Sequence, residues 1–334
     1  MKILSPVDKV NEVEALISAG AEELYCGLLL SDWHNDYIAG AISRRPGSGA
    51  NFTRYEDLTG CVELAHRHDV PVILTVNEHY YTPSQYPYLM DYIARVSALG
   101  IDALMIADLA LLLTLREKRI APKIYISTGG TVFNSETVKF YQELGASRVT
   151  LPRHLNLKEI KAITANISGI EAEVFVLNSR CPYVDGFCTF QHGLAGPDIP
   201  LLYQNACMLP YEITVGANGE IPADGEISGR RQHVWQTVHV DDHPCGGCAL
   251  FDLYKMGITS VKIVGRGNTT ERKITDIKFL KSLLDYLETK NPSRVAFRKV
   301  SQESYQKIYG RECRQYLCYF PEILEKDGKS TIYR

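Results

Sequence analysis

The 334-residue chain is 45% hydrophobic and 22% charged, with a formal net charge of −3. This is the composition of a globular protein, and it gives no support to a broad nucleic-acid-binding surface. No apolar run approaches the roughly 18 residues that cross a bilayer, and the first residues lack a basic region leading into an apolar core, so a cytoplasmic protein with no membrane insertion is expected.

In chain order, short β-branched runs alternate with amphipathic stretches. Strands are predicted at 2–4, 22–26, 71–76, 103–106, 123–126, 148–151, 172–177 and 260–264. Helical patterns at 10–19, 55–68, 86–99, 109–118, 135–144, 157–163 and 277–288 accompany them. Repeated β-then-α order implies a parallel sheet covered by helices. Eight such strands predict a (β/α)8 TIM-like barrel, a fold of roughly 250 residues. An open doubly wound sheet is the alternative, and the chain lacks the G-x-G-x-x-G turn that would favour it. Gly20, Gly100 and Gly145 each follow an apolar helix face and precede a strand, where a helix ends in the left-handed conformation.

The alternation fails between residues 178 and 257, a stretch far longer than an ordinary βα loop. Four segments are expected. Residues 1–177 carry barrel strands one to seven, and 178–257 form a cysteine-rich metal-binding insertion with strand signals of its own at 211–215 and 234–240. Residues 258–290 supply strand eight and the last helix, and 291–334 are a polar, tyrosine-rich tail of weak periodicity. The insertion leaves the C-terminal end of strand seven, which is the catalytic face of such a barrel. A smaller insertion at 28–51 follows strand two and covers the same face.

Nine cysteines without an export signal point to thiols or metal ligands rather than disulfides. Five crowd into the large insertion: Cys181, Cys188, Cys207, Cys245 and Cys248. Four thiolates at one place hold zinc or an iron–sulfur cluster, and these spacings leave both open. The glycines of P-C-G-G-C allow backbone amides to approach sulfur. Cys61 reads as a core residue, Cys26 as facing the site from the end of strand two, and Cys313 and Cys318 as packing in the tail, with a second metal site there the weaker reading. His192, His239 and His243 flank the insertion cysteines and are secondary ligand candidates.

Strand ends point into a barrel's active site. Asn77, Ser127, Thr128, Arg153, Asn178, Lys262 and Arg266 are all placed there, with His79 close by. Arg153, Lys262 and Arg266 make a pocket suited to carboxylates or phosphates, unless they are consumed by salt bridges to Glu173 or an acidic loop residue. Trp33, Tyr80, Tyr81 and Trp235 are candidates for stacking on an aromatic substrate, or else for packing, and Gly229-Arg230-Arg231 reads as a solvated turn.

The stretch from Glu173 to Cys188 resembles the signature of the collagenase-like peptidase family U32: a strand E-x-F, then Gly-Ser/Ala, then C-x4-G-x-C. Glu173, Phe175, Ser179, Cys181, Gly186 and Cys188 match it, whereas Asn178 stands for a glycine, Arg180 for an aliphatic residue and Gln191 for a serine. I-L-S-P-V at 3–7, L-T-V-N at 74–77, I-S-T-G-G-T-V-F-N at 126–134, G-A-S-R-V-T-L-P-R at 145–153, C-M-L-P-Y at 207–211 and G-I-T-S-V-K-I-V-G-R at 257–266 are similar to other family blocks. The resemblance covers about residues 1–270. It implies a barrel core and a [4Fe–4S] cluster on Cys181, Cys188, Cys207 and Cys245, with Cys248 as the alternative fourth ligand and zinc as the alternative metal. It also implies an enzyme. Relatives support oxygen-independent hydroxylation of RNA bases or of a small aromatic quinone precursor, some with prephenate as oxygen donor. Asn77, Arg153, Glu173, Lys262 and Arg266 are then the expected catalytic set, acting on an anionic or aromatic small molecule or on RNA. A peptidase, and a non-catalytic iron–sulfur subunit that needs a protein partner, are the competing readings. The chain shows neither H-E-x-x-H nor G-x-S-x-G.

Overall fold

A computed structural model describes residues 1–37, 42–45, 47–179, 181, 183–190, 207, 244–314 and 317–324. Eight parallel strands close into a barrel in sequence order. They are β1 (Lys2–Pro6), β2 (Glu23–Cys26), β3 (Val72–Val76), β4 (Ala103–Ile106), β5 (Lys123–Ile126), β6 (Arg148–Thr150), β7 (Glu171–Leu177) and β8 (Ser260–Ile263). β8 returns to β1 with Lys2 opposite Ser260 and Leu4 opposite Lys262, which completes the closure.

The helices are α1 (Val13–Ala19), α2 (Ser31–Asp36), α3 (Tyr55–His66), α4 (Tyr86–Ala98), α5 (Leu109–Glu117), α6 (Ser135–Glu143), α7 (Leu157–Thr164), α8 (Leu250–Lys255), α9 (Thr270–Lys290) and α10 (Arg294–Tyr309). Their starts follow from side-chain capping: Asp108, Asn134, Asn156, Thr269 and Ser293 each accept a backbone N–H of the first turn. Gly20, Gly100 and Gly145 hold positive φ, as their position after each helix predicts.

The predicted strands and helices match within a few residues at their ends, except that the helix expected at 277–288 begins seven residues earlier, at Thr270. Three helices were not legible. α2 lies in the smaller insertion after β2, where no helix was expected. The close of the expected insertion, Leu250–Lys255, is α8, the helix that precedes β8, with Leu250 and Leu253 buried. The tail contains α10, whose Phe297, Ser301 and Tyr305 are buried although its outer face is strongly polar. The strand signals at 211–215 and 234–240 lie outside the described residues. Among the described residues, no helix is long and apolar enough to cross a membrane.

Side chains alternate along each strand, so β2, β6, β7 and β8 turn Glu23, Arg148, Glu171, Glu173 and Ser260 into the lower barrel. Arg148 is fully buried. Its guanidinium meets Glu23 at 2.6 and 2.8 Å, Glu171 at 2.7 Å and Glu173 at 3.4 Å. It also lies over the Tyr125 ring at 4.3 Å. Burial works against its charge, and hydrogen bonds and attraction from the carboxylates override that, leaving the Arg148 pKa raised. Removing one partner of such a network strands uncompensated charge in the interior. Arg148→Ala should therefore lower unfolding free energy by about 3–5 kcal/mol, read from denaturant melts. A loss below about 1 kcal/mol would show that water solvates the network.

Candidate active site

The C-terminal ends of the strands enclose a cavity of about 180 Å³. Its lower wall is Tyr25, Phe175 and Lys262, and its rim carries Arg45, Arg153 and Arg266. Asn77, Ser127, Thr128 and His79 also line it, as do three cysteines, Cys181, Cys188 and Cys207. The sequence-derived site therefore assembles for Asn77, Ser127, Thr128, Arg153, Lys262 and Arg266. Glu173 and Asn178 stand outside this wall.

Glu173 belongs to the charge network below. It is fully buried, accepts from Thr150 Oγ1 at 3.0 Å, and stands 3.4 Å from Lys262 Nζ. Lys262 lies over the Tyr25 ring at 4.4 Å and contacts Met105 Sδ at 2.8 Å. Burial lowers its pKa to about 8, with Glu173 opposing that shift and Arg266 adding to it.

Arg153 is also paired. Its Nε and Nη2 donate to Asp185 at 2.8 and 2.9 Å, and its Nη1 donates to the Ser179 carbonyl at 2.7 Å. Burial disfavours its charge, but Asp185 more than compensates and the pKa is raised. Arg153 thus fastens the segment that carries Cys181 and Cys188, which is a positioning role. Gly186 completes that segment at φ +104°, and a Cβ there would stand 2.7 Å from the Thr128 carbonyl.

Arg266 differs. Its Nη1 donates to Ser43 Oγ, Asn51 Oδ1 and Thr75 Oγ1 at 3.1, 3.2 and 2.9 Å, all neutral oxygens. Arg45 lies near it. Burial lowers the Arg45 pKa to about 10, and Arg266 and Arg153 push the same way. Among the described residues no carboxylate pairs with Arg45 or Arg266. Two buried guanidinium groups in a shaped cavity, one of them held by neutral oxygens and neither paired with a described carboxylate, form an anion site. Arg44 beside them pairs with Glu78 at 3.0 Å. Burial brings the pKa of His79 down to about 4, and its buried Nε2 has no hydrogen-bond partner. It is neutral near pH 7.

The insertion cysteines divide into two groups. Cys181, Cys188 and Cys207 share the cavity, and burial raises the thiol pKa of Cys181 and Cys207. Cys245 and Cys248 sit instead with Cys313 and Cys318 from the C-terminal segment. As placed, no three Cys, His, Asp or Glu side chains among the described residues could hold a single metal ion. All nine cysteines are thiols. Cys26 points away from the cavity into the outer core, beside Cys61, because residue alternation on β2 turns Tyr25 inward.

Asn178 is a structural node. Its φ is +66°, which accounts for asparagine where the resembled signature has glycine. Its side chain donates to the Val264 carbonyl at 2.7 Å and to Asp276 at 2.8 Å. Trp33 and Tyr81 pack against each other away from the cavity, and Tyr80 is exposed. His192, Trp235, His239, His243 and Arg230 lie outside the described residues.

Sequence reasoning missed Arg45 and Asp185. The smaller insertion was recognised as covering the face, and its Arg44-Arg45 pair was the available signal. An acidic loop residue was expected as a partner for Arg153, but which one depends on how the segment after β7 folds back onto the end of β6, and that is Asp185.

The profile of Peptidase family U32 matches residues 8–326. The chain is 25% identical to "tRNA hydroxylation protein P" of Escherichia coli, over 66% of this chain and 46% of that protein. It is 26% identical to "23S rRNA 5-hydroxycytidine C2501 synthase" of the same organism, over 80% of this chain and 36% of that protein. It is also 27% identical to a "Collagenase" of Porphyromonas gingivalis, over 56% and 44%. The matched part spans under half of each of these relatives.

Two outcomes follow from the geometry. Asn178→Ala should cost about 2–3 kcal/mol through left-handed strain and unpaired buried groups, while Asn178→Gly should cost less. Equal losses in thermal unfolding would remove the backbone explanation. A small dicarboxylate, followed by calorimetry, should bind roughly tenfold more weakly at about pH 9 than at about pH 7, as Lys262 loses its proton. Lys262→Met should abolish that pH step, and Arg266→Gln should weaken binding at both pH values. The stability sign is opposite: charging the buried ammonium costs stability below about pH 8, and the cost fades as the pH rises above it. A wild-type affinity flat across the range would exclude the Lys262 role.

Proposed function

Because the chain belongs to peptidase family U32, we propose that it is an iron–sulfur enzyme that hydroxylates an RNA base, or a small aromatic substrate, without molecular oxygen, using an anionic donor such as prephenate. One observation carries this reading. Three cysteines line the same small cavity as two guanidinium groups that no described carboxylate neutralises.

Cys181, Cys188 and Cys207 fit as thiolate ligands at the cavity wall. A cluster binds each thiolate through a different iron, so its ligands need not converge as they do on one ion. Cys245 does not join them, being packed with Cys248, Cys313 and Cys318. Three thiolates would hold the cluster from the cavity side, with Cys245 or Cys248 as the expected fourth ligand. Such a cluster supplies electrons and, at an iron with no thiolate, Lewis acidity.

The protein groups do the rest. Arg45 and Arg266 bind the donor's negative charge, and the neutral partners of Arg266 keep its charge unspent. Lys262, with its pKa near neutrality, supports the anion and can donate a proton at Nζ. Tyr25 and Phe175 offer flat apolar faces to a ring. His79, neutral, offers one ring nitrogen as a hydrogen-bond partner. Arg153 and Asp185 hold the cysteine-bearing segment in register with β6. The RNA relatives' names support a nucleic-acid substrate.

The test is anaerobic purification followed by iron, sulfide and zinc analysis. About four irons and four sulfides per chain are expected, lost in Cys181→Ala and Cys207→Ala. The loaded protein, given prephenate and unmodified RNA, should add one oxygen to a base, read by mass spectrometry of nucleosides. Arg266→Gln should reduce turnover roughly a hundredfold while leaving iron content unchanged. Stoichiometric zinc without iron, or cleavage of a peptide by iron-free protein, would replace this reading with a hydrolase or a structural site.

A further inference from the structure

Lys262 occupies a place that few lysines do. It leaves β8 between Leu4 of β1 and Phe175 of β7, inside the barrel and at the floor of the cavity. Only 4% of the residue is exposed. Its Nζ lies 4.4 Å from the Tyr25 ring centre and 5.3 Å from that of Phe175, and rests against Met105 Sδ. The amine is therefore set largely among apolar groups. Glu173 is the one described carboxylate within ion-pairing distance, at 3.4 Å, and Arg148 and Thr150 already draw on it.

Such surroundings disfavour the ammonium form. Burial lowers the Lys262 pKa to about 8; Glu173 opposes the shift, and Arg266 and Arg148 add to it. Roughly a tenth of the amine is then unprotonated at about pH 7. An unprotonated lysine in a closed apolar pocket is a nucleophile towards carbonyl carbon. The cavity also selects the carbonyl compound. Arg266 donates to three neutral oxygens, so its charge is open to a carboxylate, and it is near enough for its charge to act on Lys262. An acid whose ketone adjoins its carboxylate satisfies the guanidinium and the amine together, and a cavity of about 180 Å³ restricts it to a small one.

We infer that Lys262 forms an imine with the ketone of a 2-oxo carboxylic acid whose carboxylate rests on Arg266. Nζ adds to the carbonyl carbon, and the carbinolamine then loses its hydroxyl as water. In sum, an ammonium and a ketone become a protonated imine and one water, so charge is conserved and no oxidant or reductant is consumed. Glu173 Oε1 is placed to take the proton that Nζ sheds before attack and to return it as the hydroxyl leaves. The protonated imine draws electrons from the carbon beside it and so weakens the bonds there. Hydrolysis restores the lysine. This inference rests on the cavity being the site of an anionic donor, and prephenate is itself a 2-oxo acid. It adds a covalent bond at Nζ to the charge and the proton already assigned to that atom.

The test uses the full chain, purified without oxygen, with pyruvate as the probe and cyanoborohydride to reduce an imine to a stable secondary amine. Peptides are read by mass spectrometry. A carboxyethyl group is expected on Lys262, at a level roughly tenfold or more above the exposed Lys299. Labelling should rise roughly tenfold from about pH 6.5 to about pH 8 as the ammonium loses its proton. Lys262→Arg keeps a cation beside Glu173 and should remove the label. Arg266→Gln should cut labelling by pyruvate roughly tenfold and leave labelling by acetone, which has no carboxylate, unchanged. The wild-type peptide map decides without any variant having to fold. A pyruvate label no stronger on Lys262 than on Lys299 overturns the inference, and so does acetone that labels Lys262 as readily as pyruvate does. Trapping needs neither iron nor RNA. Hydroxylation of RNA without the Lys262 adduct therefore defeats this inference and leaves the proposed function standing, and the adduct on a protein that holds zinc and no iron does the reverse.

Discussion

The structure depends on one buried cation, Arg148. It sits in the lower barrel among Glu23, Glu171 and Glu173 and lies over the Tyr125 ring. Burying a charge is costly unless it is paired and fully hydrogen-bonded. The barrel meets that condition by drawing carboxylates from β2 and β7 to one guanidinium. One of those carboxylates, Glu173, also reaches up to Lys262. Charge is therefore balanced at the bottom of the barrel and increasingly unbalanced towards the top. Lys262 shares its partner, while Arg266 and Arg45 have neutral partners or none among the described carboxylates. The anion-binding character of the cavity is a consequence of where the acids were spent.

A second set of contacts holds the cysteine-bearing segment over that cavity. Arg153 at the end of β6 ties down Asp185 and Ser179. Asn178, in the left-handed conformation, joins the exit of β7 to Asp276 on α9 and to Val264 after β8. Tyr319 from the C-terminal segment caps the same exit. Two of the basic residues expected to bind substrate thus do something else as well: Arg153 positions a loop, and Lys262 completes the interior charge network. The reading that salt bridges would consume them was half right. Each has an acidic partner, yet both still line the cavity.

Much of this was legible in the primary structure. The barrel followed from the regular alternation of β-branched runs with amphipathic stretches, because a parallel strand must be hydrophobic and its crossover helix must be one-sided. Asn77, Lys262 and Arg266 were found because strand ends in a barrel have one destination. Helix α10 was missed because only one narrow apolar stripe, through Phe297 and Tyr305, anchors an otherwise polar sequence. Arg45 was missed because it sits in a loop, where no periodicity reports direction. Cys26 faces the outer core, against the expectation from its place at a strand end, because residues alternate along β2 and Tyr25 takes the inward position.

By itself, then, the sequence determined the barrel, its catalytic face and the residue types gathered there: thiols, guanidinium groups and a lysine. Those are local properties, set by period, spacing and composition. Only the tertiary structure decided how they are divided. It put three cysteines in the cavity and grouped Cys245 and Cys248 with Cys313 and Cys318, more than sixty residues further on. It also decided which cations are neutralised and which remain to bind an anion. The physical reason is that pairing depends on distances of a few ångströms between segments far apart in the chain, and no local pattern encodes those distances.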